Sequence, residues 1–557
     1  VSEITATLTA PPPVRNNALA TFEGRTTLLE AARLTFGEAS LPYFDLANAE
    51  VTFAFGANFL ENWLSPVAYT RAYGEFRQGR PTRRGYLVVF EPRQSLTAGN
   101  ADEWIPIRPG SEAILAAVFN RLVAEARGKP VSPAFSAVTV SAAAAASGIA
   151  EEKIRELAEM FAASAHALAI PGGSALAQAD GLMTAQSLLY LNALVDNLGQ
   201  PGGVFLTPAE ASATDFAAVK DLVRRMADSK VKVLFIHGVN PLFEFPAALG
   251  FADALSKVPL VISFASFPDE TALASDYILP DHTPLESFGY QRILAGSDRP
   301  AYSSFQPVVV PLYDTRATAD VLLAAVKQLG MAAAQAFPYK DEVEYIQQKL
   351  LPLIDAGGFY TASEIFTFWS RWLQYGGWWT AAPQLTPPPQ ATPPQQSYSF
   401  TPPLELEEGK QFYLITFPNH MGDGSGANRP WLQELPDWMT TVTWNSWVEI
   451  HPKTAEELGL HDDDVVRIST PFGFVEASVY RYPAIRPDTI AIPFGQGHTA
   501  LGRWAEGRGC NPAQVLPTTT NPAGDLTYGS VVATILPTGK RRPLARVESK
   551  EGIYGEH

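Results

Sequence analysis

The sequence of 557 residues contains one cysteine, Cys510. A single thiol cannot form an internal disulfide, and a [4Fe–4S] cluster needs about four cysteine ligands. The chain must therefore hold its fold together by burying non-polar side chains. Hydrophobic residues make up 46% of the sequence and charged residues 18%, which is sufficient for large cores. At roughly 100–200 residues per domain, several domains are expected.

The net charge of −16 argues against nucleic-acid binding, which requires clustered lysine and arginine. The eight histidines are scattered, without the short spacing of a metal site. No run approaches the ~18 consecutive non-polar residues of a membrane span. The chain begins at Val1 without a methionine or a signal peptide, which indicates either processing or further residues upstream.

In the first two thirds of the chain, short non-polar runs alternate with segments of helical periodicity. Strands are predicted at 51–55, 86–90, 167–170, 233–236 and 260–264, and helices at 112–126, 151–163, 184–198 and 320–329. Continuous non-polar strands between helices are typical of parallel α/β sheets. The pattern predicts a first α/β domain over 1–137, with an irregular N-terminal segment, and a second over 138–380.

Residues 381–403 are rich in proline, glutamine, threonine and serine, which predicts an extended linker. Short strands follow at 412–417, 465–470, 474–480 and 489–493, separated by turn signals that favour a compact β-barrel over 404–540. A short helix is predicted at 453–458. Residues 541–557 form a polar tail.

Several segments together resemble the molybdopterin oxidoreductase family, in the family's order. They are 44–58 (FDLANAEVTFAFGAN), 88–104 (VVFEPRQSLTAGNADEW), 107–113 (IRPGSEA), 235–241 (FIHGVNP), 269–280 (DETALASDYILP), 448–459 (VEIHPKTAEELG), 494–500 (FGQGHTA) and 509–512 (GCNP). The resemblance implies an α/β fold in which parallel-sheet domains are followed by a C-terminal β-barrel domain. It also implies that the family's iron–sulfur domain is absent from this chain, because no cysteine precedes residues 44–58.

The same resemblance places eight residues around a vestigial pterin-dinucleotide cleft. Glycine at a strand end lets the backbone approach a pyrophosphate, and asparagine or aspartate can bond a guanine or ribose edge. The alternative is loop geometry that the fold itself requires. The candidates are Gly56, Asn58, Glu91, Arg93, Gly238, Asn240, Asp269 and His498. No catalytic residue and no metal ligand are assigned.

The nearest resemblance is to the molybdopterin-like large subunit of bacterial alternative complex III, a quinol:electron-acceptor oxidoreductase. It implies a non-catalytic scaffold without a cofactor of its own, on the periplasmic face of a membrane in a respiratory or photosynthetic chain. Implied partners are an iron–sulfur ferredoxin-like domain or subunit, a multihaem cytochrome c and polytopic quinol-binding subunits. Iron–sulfur clusters and haems would lie in those neighbouring segments or subunits.

Two other interpretations remain open. The chain could be the main body of an active molybdopterin oxidoreductase whose metal-binding segment lies outside these 557 residues. It could also be a cofactor-free relative of the large iron–sulfur subunit of NADH dehydrogenase, which the GQGH segment at 495–498 disfavours.

Two tryptophan groups are expected either at partner surfaces or in the chain's own cores. They are Trp372, Trp378 and Trp379, and Trp431, Trp438, Trp444 and Trp447.

Overall fold

The computed structural model describes residues 1–78, 84–208, 215–293, 296–395, 403–529 and 531–547. These residues form a mixed α/β protein with two parallel sheets and a closed C-terminal barrel, which confirms the predicted fold class. Part of the predicted linker (396–402) and most of the polar tail (548–557) lie outside the described residues. Among the described helices, none is both long and non-polar enough to cross a lipid bilayer.

The first sheet has four parallel strands, and the side chains of the three longer strands are mostly buried. In spatial order they are Glu103–Ile105, Tyr86–Phe90, Val51–Phe55 and Ala167–Pro171. Phe53 belongs to the core on one face of the sheet and Ala54 to the core on the other. The principal helices around the sheet are Arg25–Phe36, Pro66–Gln78, Glu112–Ala126, Val140–Ser147, Glu151–Ala163 and Gly181–Leu194. Burial on both faces explains why these strands are continuous non-polar runs.

The strand Ala167–Pro171 pairs in register with Val51–Phe55, so the sheet continues across the boundary expected at residues 137–138. The helix predicted at 184–198 runs instead over Gly181–Leu194. Asp196 takes a left-handed backbone conformation with φ 61°. This conformation cannot continue a right-handed helix, so the helix ends before Gly199.

The second sheet has three parallel strands, Val233–His237, Leu260–Ala265 and Tyr277–Pro280. The helices Phe216–Ala227 and Phe251–Leu255 share one hydrophobic core with buried residues of this sheet. The same core continues without interruption into the interior of the barrel. This shared core fixes the second sheet against the barrel.

The barrel closes through six strands, two of which the sequence pattern missed. In spatial order they are Gln411–Pro418, Thr489–Phe494, Trp447–Ile450, Gly473–Arg481, Asp464–Thr470 and Val532–Arg541. The missed strands are Trp447–Ile450, which is short, and Val532–Arg541, whose second half is largely exposed and lacks a non-polar run. A helix, Pro452–Glu457, lies where residues 453–458 were predicted to form one.

A module rich in aromatic residues follows the second sheet in the sequence and precedes the linker. It combines the antiparallel strands Gly289–Ile293, Ala301–Phe305 and Gly377–Trp379 with the helices Thr318–Lys327, Met331–Ala336, Glu342–Leu350 and Ile365–Tyr375. Trp372 and Trp378 are buried in its core, and Trp447 is buried in the barrel. Trp431 is 70% exposed. The expected tryptophan groups therefore divide between core and surface.

The described part of the proline-rich tract, 381–395 and 403, contains neither helix nor strand. Its backbone is hydrogen-bonded to the α/β part at several points. Thr386 exchanges two backbone hydrogen bonds with Leu206, and Thr392 N donates to Thr35 O over 2.8 Å. The tract therefore lies along the surface of the α/β body without regular secondary structure.

The start of the helix Arg25–Phe36 is held by a residue near the end of the chain. Asp525 Oδ2 accepts hydrogen bonds from Thr27 N (2.8 Å) and Thr27 Oγ1 (2.7 Å), and all of these groups are buried. A carboxylate in this position satisfies a free N–H group at the helix start and complements the helix dipole. The contact joins the first α/β domain to the segment that precedes the last barrel strand, Val532–Arg541.

Shorter helices complete the described structure. They are Ser2–Thr7, Ala18–Glu23, Leu96–Gly99, Pro133–Ser136, Gly173–Leu176, Pro241–Glu244, Glu270–Leu273 and Pro430–Gln433, and further strands are Pro42–Phe44, Val204–Leu206, Val442–Thr443 and Ala545–Arg546.

Candidate functional site

The eight candidate residues fall into two groups, one at the carboxyl end of each parallel sheet. Gly56 and Asn58 follow the strand Val51–Phe55, and Glu91 and Arg93 follow Tyr86–Phe90. The second group comprises Gly238 and Asn240 after Val233–His237, Asp269 at the start of the helix Glu270–Leu273, and His498 from the barrel. Both groups face the barrel, as expected for a cleft at strand ends.

Gly56 serves packing between loops. Its φ is +61°, and a Cβ at this position would lie 2.6 Å from Ala175 N and 2.8 Å from Gly172 O. The turn after Ala167–Pro171 therefore closes directly over Gly56. Only glycine fits this contact, and the space beside its backbone is filled by the protein itself.

Arg93 forms the centre of the first group. Its Nε and Nη2 donate to Glu449 Oε2 (2.5 Å) and Oε1 (2.9 Å), and the two side chains are 6% and 0% exposed. The Arg93 Cζ lies 3.7 Å from the centre of the Phe417 ring, a cation–π contact. Trp447 Nε1 adds a third hydrogen bond to Glu449. Burial raises the pKa of Glu449, and the guanidinium of Arg93 opposes that shift.

Glu91 and Glu61 place further buried carboxyl groups beside this ion pair. Glu91 accepts from Ser95 N over 2.6 Å, and Glu61 accepts from Leu96 N. Burial raises the pKa of Glu91 to about 7 and that of Glu61 to about 8. Near neutral pH these groups are therefore partly protonated, which lowers the cost of holding several carboxyls close together.

The cavity left between these residues has a volume of about 30 Å³. Its lining includes Asn58, Glu91, Arg93, Thr416 and Phe417. The Asn58 Oδ1 and Thr416 Oγ1 atoms are buried and have no hydrogen-bond partner in the protein. Small-molecule and cofactor sites typically measure about 300–1,000 Å³, which is about ten times this volume or more.

In the second group, Asn240 is bonded on all sides. Its Nδ2 donates to Glu270 Oε2 over 2.6 Å, and its Oδ1 accepts from Thr271 N and Thr271 Oγ1. Asp269 caps the helix Glu270–Leu273 by accepting from Ala272 N over 2.7 Å, and burial raises its pKa. Both side chains stabilise the loop.

His498 joins the barrel to the second sheet. Its Nδ1 lies 3.2 Å from Glu270 Oε1, its Nε2 lies 3.1 Å from Gly424 O, and its ring stacks on Phe243 at 3.7 Å. Both ring nitrogens face acceptors, and only the imidazolium form can donate to both. Burial opposes ionisation of Glu270, but hydrogen bonds from His498 and Asn240 outweigh it and hold the pKa of Glu270 well below its ordinary range.

A chain of aromatic rings fills the space between the two groups. Phe22, which lines the small cavity, lies 5.2 Å from Phe494, and Phe494 lies 5.6 Å from Phe243. Tyr528 packs edge-on against Phe22 at 4.9 Å. Gly238 differs from this filled region, because a Cβ there would meet nothing within 4 Å.

Motif comparison missed Glu449, Glu270 and Phe22 as site residues. Glu449 and Glu270 lie inside segments that resemble the family, and that location is the signal that the sequence offers for them. Phe22 lies in the segment predicted to be irregular and carried no signal.

Cys510 is buried in the barrel beside Ser446 Oγ, and burial raises the pKa of its thiol. Among the described residues, no three histidine, cysteine or acidic side chains form a group that could hold a metal ion.

Residues 15–327 match the molybdopterin oxidoreductase family, and residues 427–527 match the molydopterin dinucleotide binding domain. The chain belongs to the molybdopterin oxidoreductase family. Within it, the chain is 28% identical over 510 residues to the molybdopterin-binding-like subunit of menaquinone reductase from Nitratidesulfovibrio vulgaris, covering 88% of this chain and 71% of that protein.

Two further proteins are similar to this chain in sequence or in fold. The thiosulfate reductase molybdopterin-containing subunit of Salmonella typhimurium is 24% identical, with 88% of this chain and 74% of the relative aligned. The fold is similar to that of acetylene hydratase from Pelobacter acetylenicus, with a TM-score of 0.74 and 19% identity over 96% of this chain and 84% of the other. The predicted family and fold are thereby confirmed.

Proposed function

We propose that this chain is a non-catalytic, cofactor-free scaffold subunit of a membrane-bound quinol:electron-acceptor oxidoreductase of the alternative complex III type. The observation that carries the proposal is the protein-filled cleft. Arg93, Glu449 and Phe417 fill the cleft at the carboxyl end of the first sheet, to which the family resemblance assigns a pterin dinucleotide, and the remaining cavity measures about 30 Å³. The residues present do not fit the cofactor.

The similarity to a menaquinone reductase subunit, whose name describes it as molybdopterin-binding-like, supports a role in a quinone-linked complex. In the proposed assembly the chain lies on the periplasmic face of the membrane of a respiratory or photosynthetic bacterium. An iron–sulfur ferredoxin-like domain or subunit, a multihaem cytochrome c and polytopic quinol-binding subunits surround it and carry the redox groups. The chain contributes the surfaces that hold these partners together.

Metal and pterin analysis of the purified assembly tests the proposal. Mass spectrometry should find no stoichiometric molybdenum or tungsten, and acid oxidation should release no pterin fluorescence. A molybdopterin reductase carried through the same protocol provides the positive control. Stoichiometric metal with released pterin would contradict the proposal and support the active-enzyme interpretation, in which a metal-binding segment lies outside this sequence.

Turnover of cleft variants provides a second, independent test. Asn58→Ala removes an unpartnered oxygen from the small cavity, so the fold should tolerate it. If the cleft takes no part in chemistry, quinol oxidation by the assembled complex should remain near the wild-type rate. A large loss of turnover with full subunit recovery would show that the cleft is a working site. Val67→Ser on the exposed face of the helix Pro66–Gln78 serves as the control for the handling of variants.

A further inference from the structure

A row of large non-polar side chains stands exposed on the segment 307–313, here called the apolar strap. The sequence of this segment is PVVVPLY, and it follows the strand Ala301–Phe305. Val310 is 85% exposed and Leu312 is 78% exposed. The exposed members are Val308, Val309, Val310, Leu312 and Tyr313. Contiguous exposed non-polar groups of this kind mark interaction sites, whereas isolated ones need no explanation.

The apolar strap is held in place by its backbone. Val308 N donates to Leu285 O over 2.9 Å, and Leu312 N donates to Glu286 Oε1 over 3.2 Å. Pro307 and Pro311 fix their own φ angles and cannot donate to a β-ladder. The segment is therefore preorganised with its side chains outward, so a partner that binds it loses little conformational entropy.

The apolar strap is followed by a backbone contact with the second sheet, one face of which is uncovered. Strand register places Phe235, Ile262 and Tyr277 side by side on one face, and Phe235 and Tyr277 are 60% and 61% exposed. Arg316 N, just beyond the strap, donates to Pro280 O at the end of this sheet. Parallel sheets are normally covered on both faces, so this face lacks the layer that the fold type requires.

Carboxyl groups border the apolar strap. Glu286 binds the strap backbone, Asp314 follows Tyr313, and Asp281 accepts from Thr318 N over 3.0 Å. Asp320 accepts from Glu342 N over 2.7 Å. The pKa of Glu342 is raised to about 7 by burial and then by Asp320, Asp281 and Asp341, which reflects the density of negative charge. Basic groups lie among these carboxyls as well: Arg316 follows Asp314, His237 Nε2 lies 3.1 Å from Asp281 Oδ2, and Lys340 lies 4.0 Å from Asp341.

We infer that the apolar strap and the adjoining sheet face dock one protein subunit, which covers them with a non-polar groove bordered by lysine or arginine. The non-polar side chains supply the buried area, and the carboxyl border selects a cationic rim and disfavours an anionic lipid surface. This inference rests on the proposed scaffold function, and it names the chemistry of one partner.

Site-specific crosslinking in the native assembly tests the inference. A photoreactive phenylalanine analogue at Val310 should crosslink to one other subunit, at a non-polar groove with lysine or arginine at its edge. The double variant Val310→Ser/Leu312→Ser should lower recovery of that subunit at least several-fold, while the melting temperature of the isolated chain stays unchanged. Val67→Ser, at a residue that is 83% exposed but isolated on its helix, should leave recovery unchanged.

Reversing the charge at one carboxyl of the border tests whether the partner presents a cation there. Asp314→Lys should weaken recovery of the same subunit, and exchanging the facing lysine or arginine of the partner for glutamate should restore it. Crosslinks to a second copy of this chain, crosslinks to lipid, or unchanged recovery of every subunit would each overturn the inference. These readouts do not depend on metal content, so they separate a failure of this inference from a failure of the cofactor-free proposal.

Discussion

The guanidinium of Arg93 and the carboxylate of Glu449 form a bidentate, buried ion pair between residues 356 positions apart in the chain. Arg93 comes from the loop after a strand of the first sheet, and Glu449 comes from a barrel strand. The pair therefore fixes the distance between the two walls of the cleft. It lies in the cleft at the strand ends of the first sheet, which the family resemblance assigns to a pterin dinucleotide.

Removing one partner of this pair should be strongly destabilising, because the other would remain as a buried, unpaired charge. We expect Arg93→Met or Glu449→Leu alone to cost about 3–5 kcal/mol in the free energy of unfolding. The double variant should cost clearly less than the sum of the two, because no charge is left behind. Urea unfolding of the four proteins measures the coupling.

The exposed pair Arg467–Glu476 provides the matched control, with side chains 45% and 29% exposed at an N–O distance of 3.0 Å. Arg467→Met should cost less than about 1 kcal/mol, because water screens such pairs. Equal costs at the buried and the exposed pair would contradict the assignment of Arg93 and Glu449 as the link between the walls.

Gly56→Ala and Gly238→Ala should differ sharply, although both glycines have left-handed backbones. A methyl group at Gly56 collides with Ala175 N, whereas one at Gly238 enters open space. Gly238→Ala should cost about 1–2 kcal/mol for backbone strain alone, and Gly56→Ala at least about 1 kcal/mol more. Thermal unfolding of both variants checks the order, and a reversed order would show that the turn over Gly56 moves freely.

The stabilisation from Glu270 should disappear in acid. Because its pKa is depressed in the folded state, the carboxylate stabilises the protein above its ordinary pKa, and this contribution is lost as the pH falls below that value. The difference in unfolding free energy between the wild type and Glu270→Gln should therefore shrink between about pH 5 and pH 3. Glu456→Gln, on an exposed helix position, controls for the change in charge. A difference that is constant with pH would mean that Glu270 is not ionised in the fold.

Glu91 should show the opposite dependence on pH. Its pKa is raised to about 7 by burial, so the unfolded chain ionises first and stability declines as the pH rises toward 7. Glu91→Gln keeps the acceptor for Ser95 N and removes this penalty. The variant should therefore gain stability relative to the wild type, by about 1 kcal/mol or more, between about pH 5 and pH 8. The same urea titrations at the two pH values measure it, and a gain at pH 5 alone would refute the argument.

The buried strands of the first sheet could be predicted because burial on both faces leaves a continuous non-polar run. Val51–Phe55 and Tyr86–Phe90 begin and end at the predicted residues. The last barrel strand, Val532–Arg541, could not, because its exposed half reads as a polar turn. The end of Gly181–Leu194 depended on the left-handed Asp196, which sequence periodicity does not indicate.

The sequence indicated where the candidate cleft lies, but not whether the cleft is open or filled by protein side chains. Strand ends bearing glycine and asparagine indicated where a cleft lies, since the topology of parallel sheets brings such ends together. Whether the cleft is open depends on partners far away in sequence. Glu449 neutralises Arg93, and Phe22 arrives from a segment without regular pattern. Such pairings are set by tertiary packing, which a single sequence does not reveal.

The carboxylate of Asp525 that holds the start of the helix Arg25–Phe36 also has a consequence during synthesis. It bonds Thr27 across 498 positions in the chain. At about 5–20 residues per second, the ribosome delivers this residue about 25–100 s after Thr27. During that interval the start of the helix lacks its hydrogen-bond acceptor, and this side of the first sheet is not complete until the segment that contains Asp525 has been made. Translation that stops before residue 525 would therefore leave the earliest part of the protein unfinished, although all of its own residues had been made.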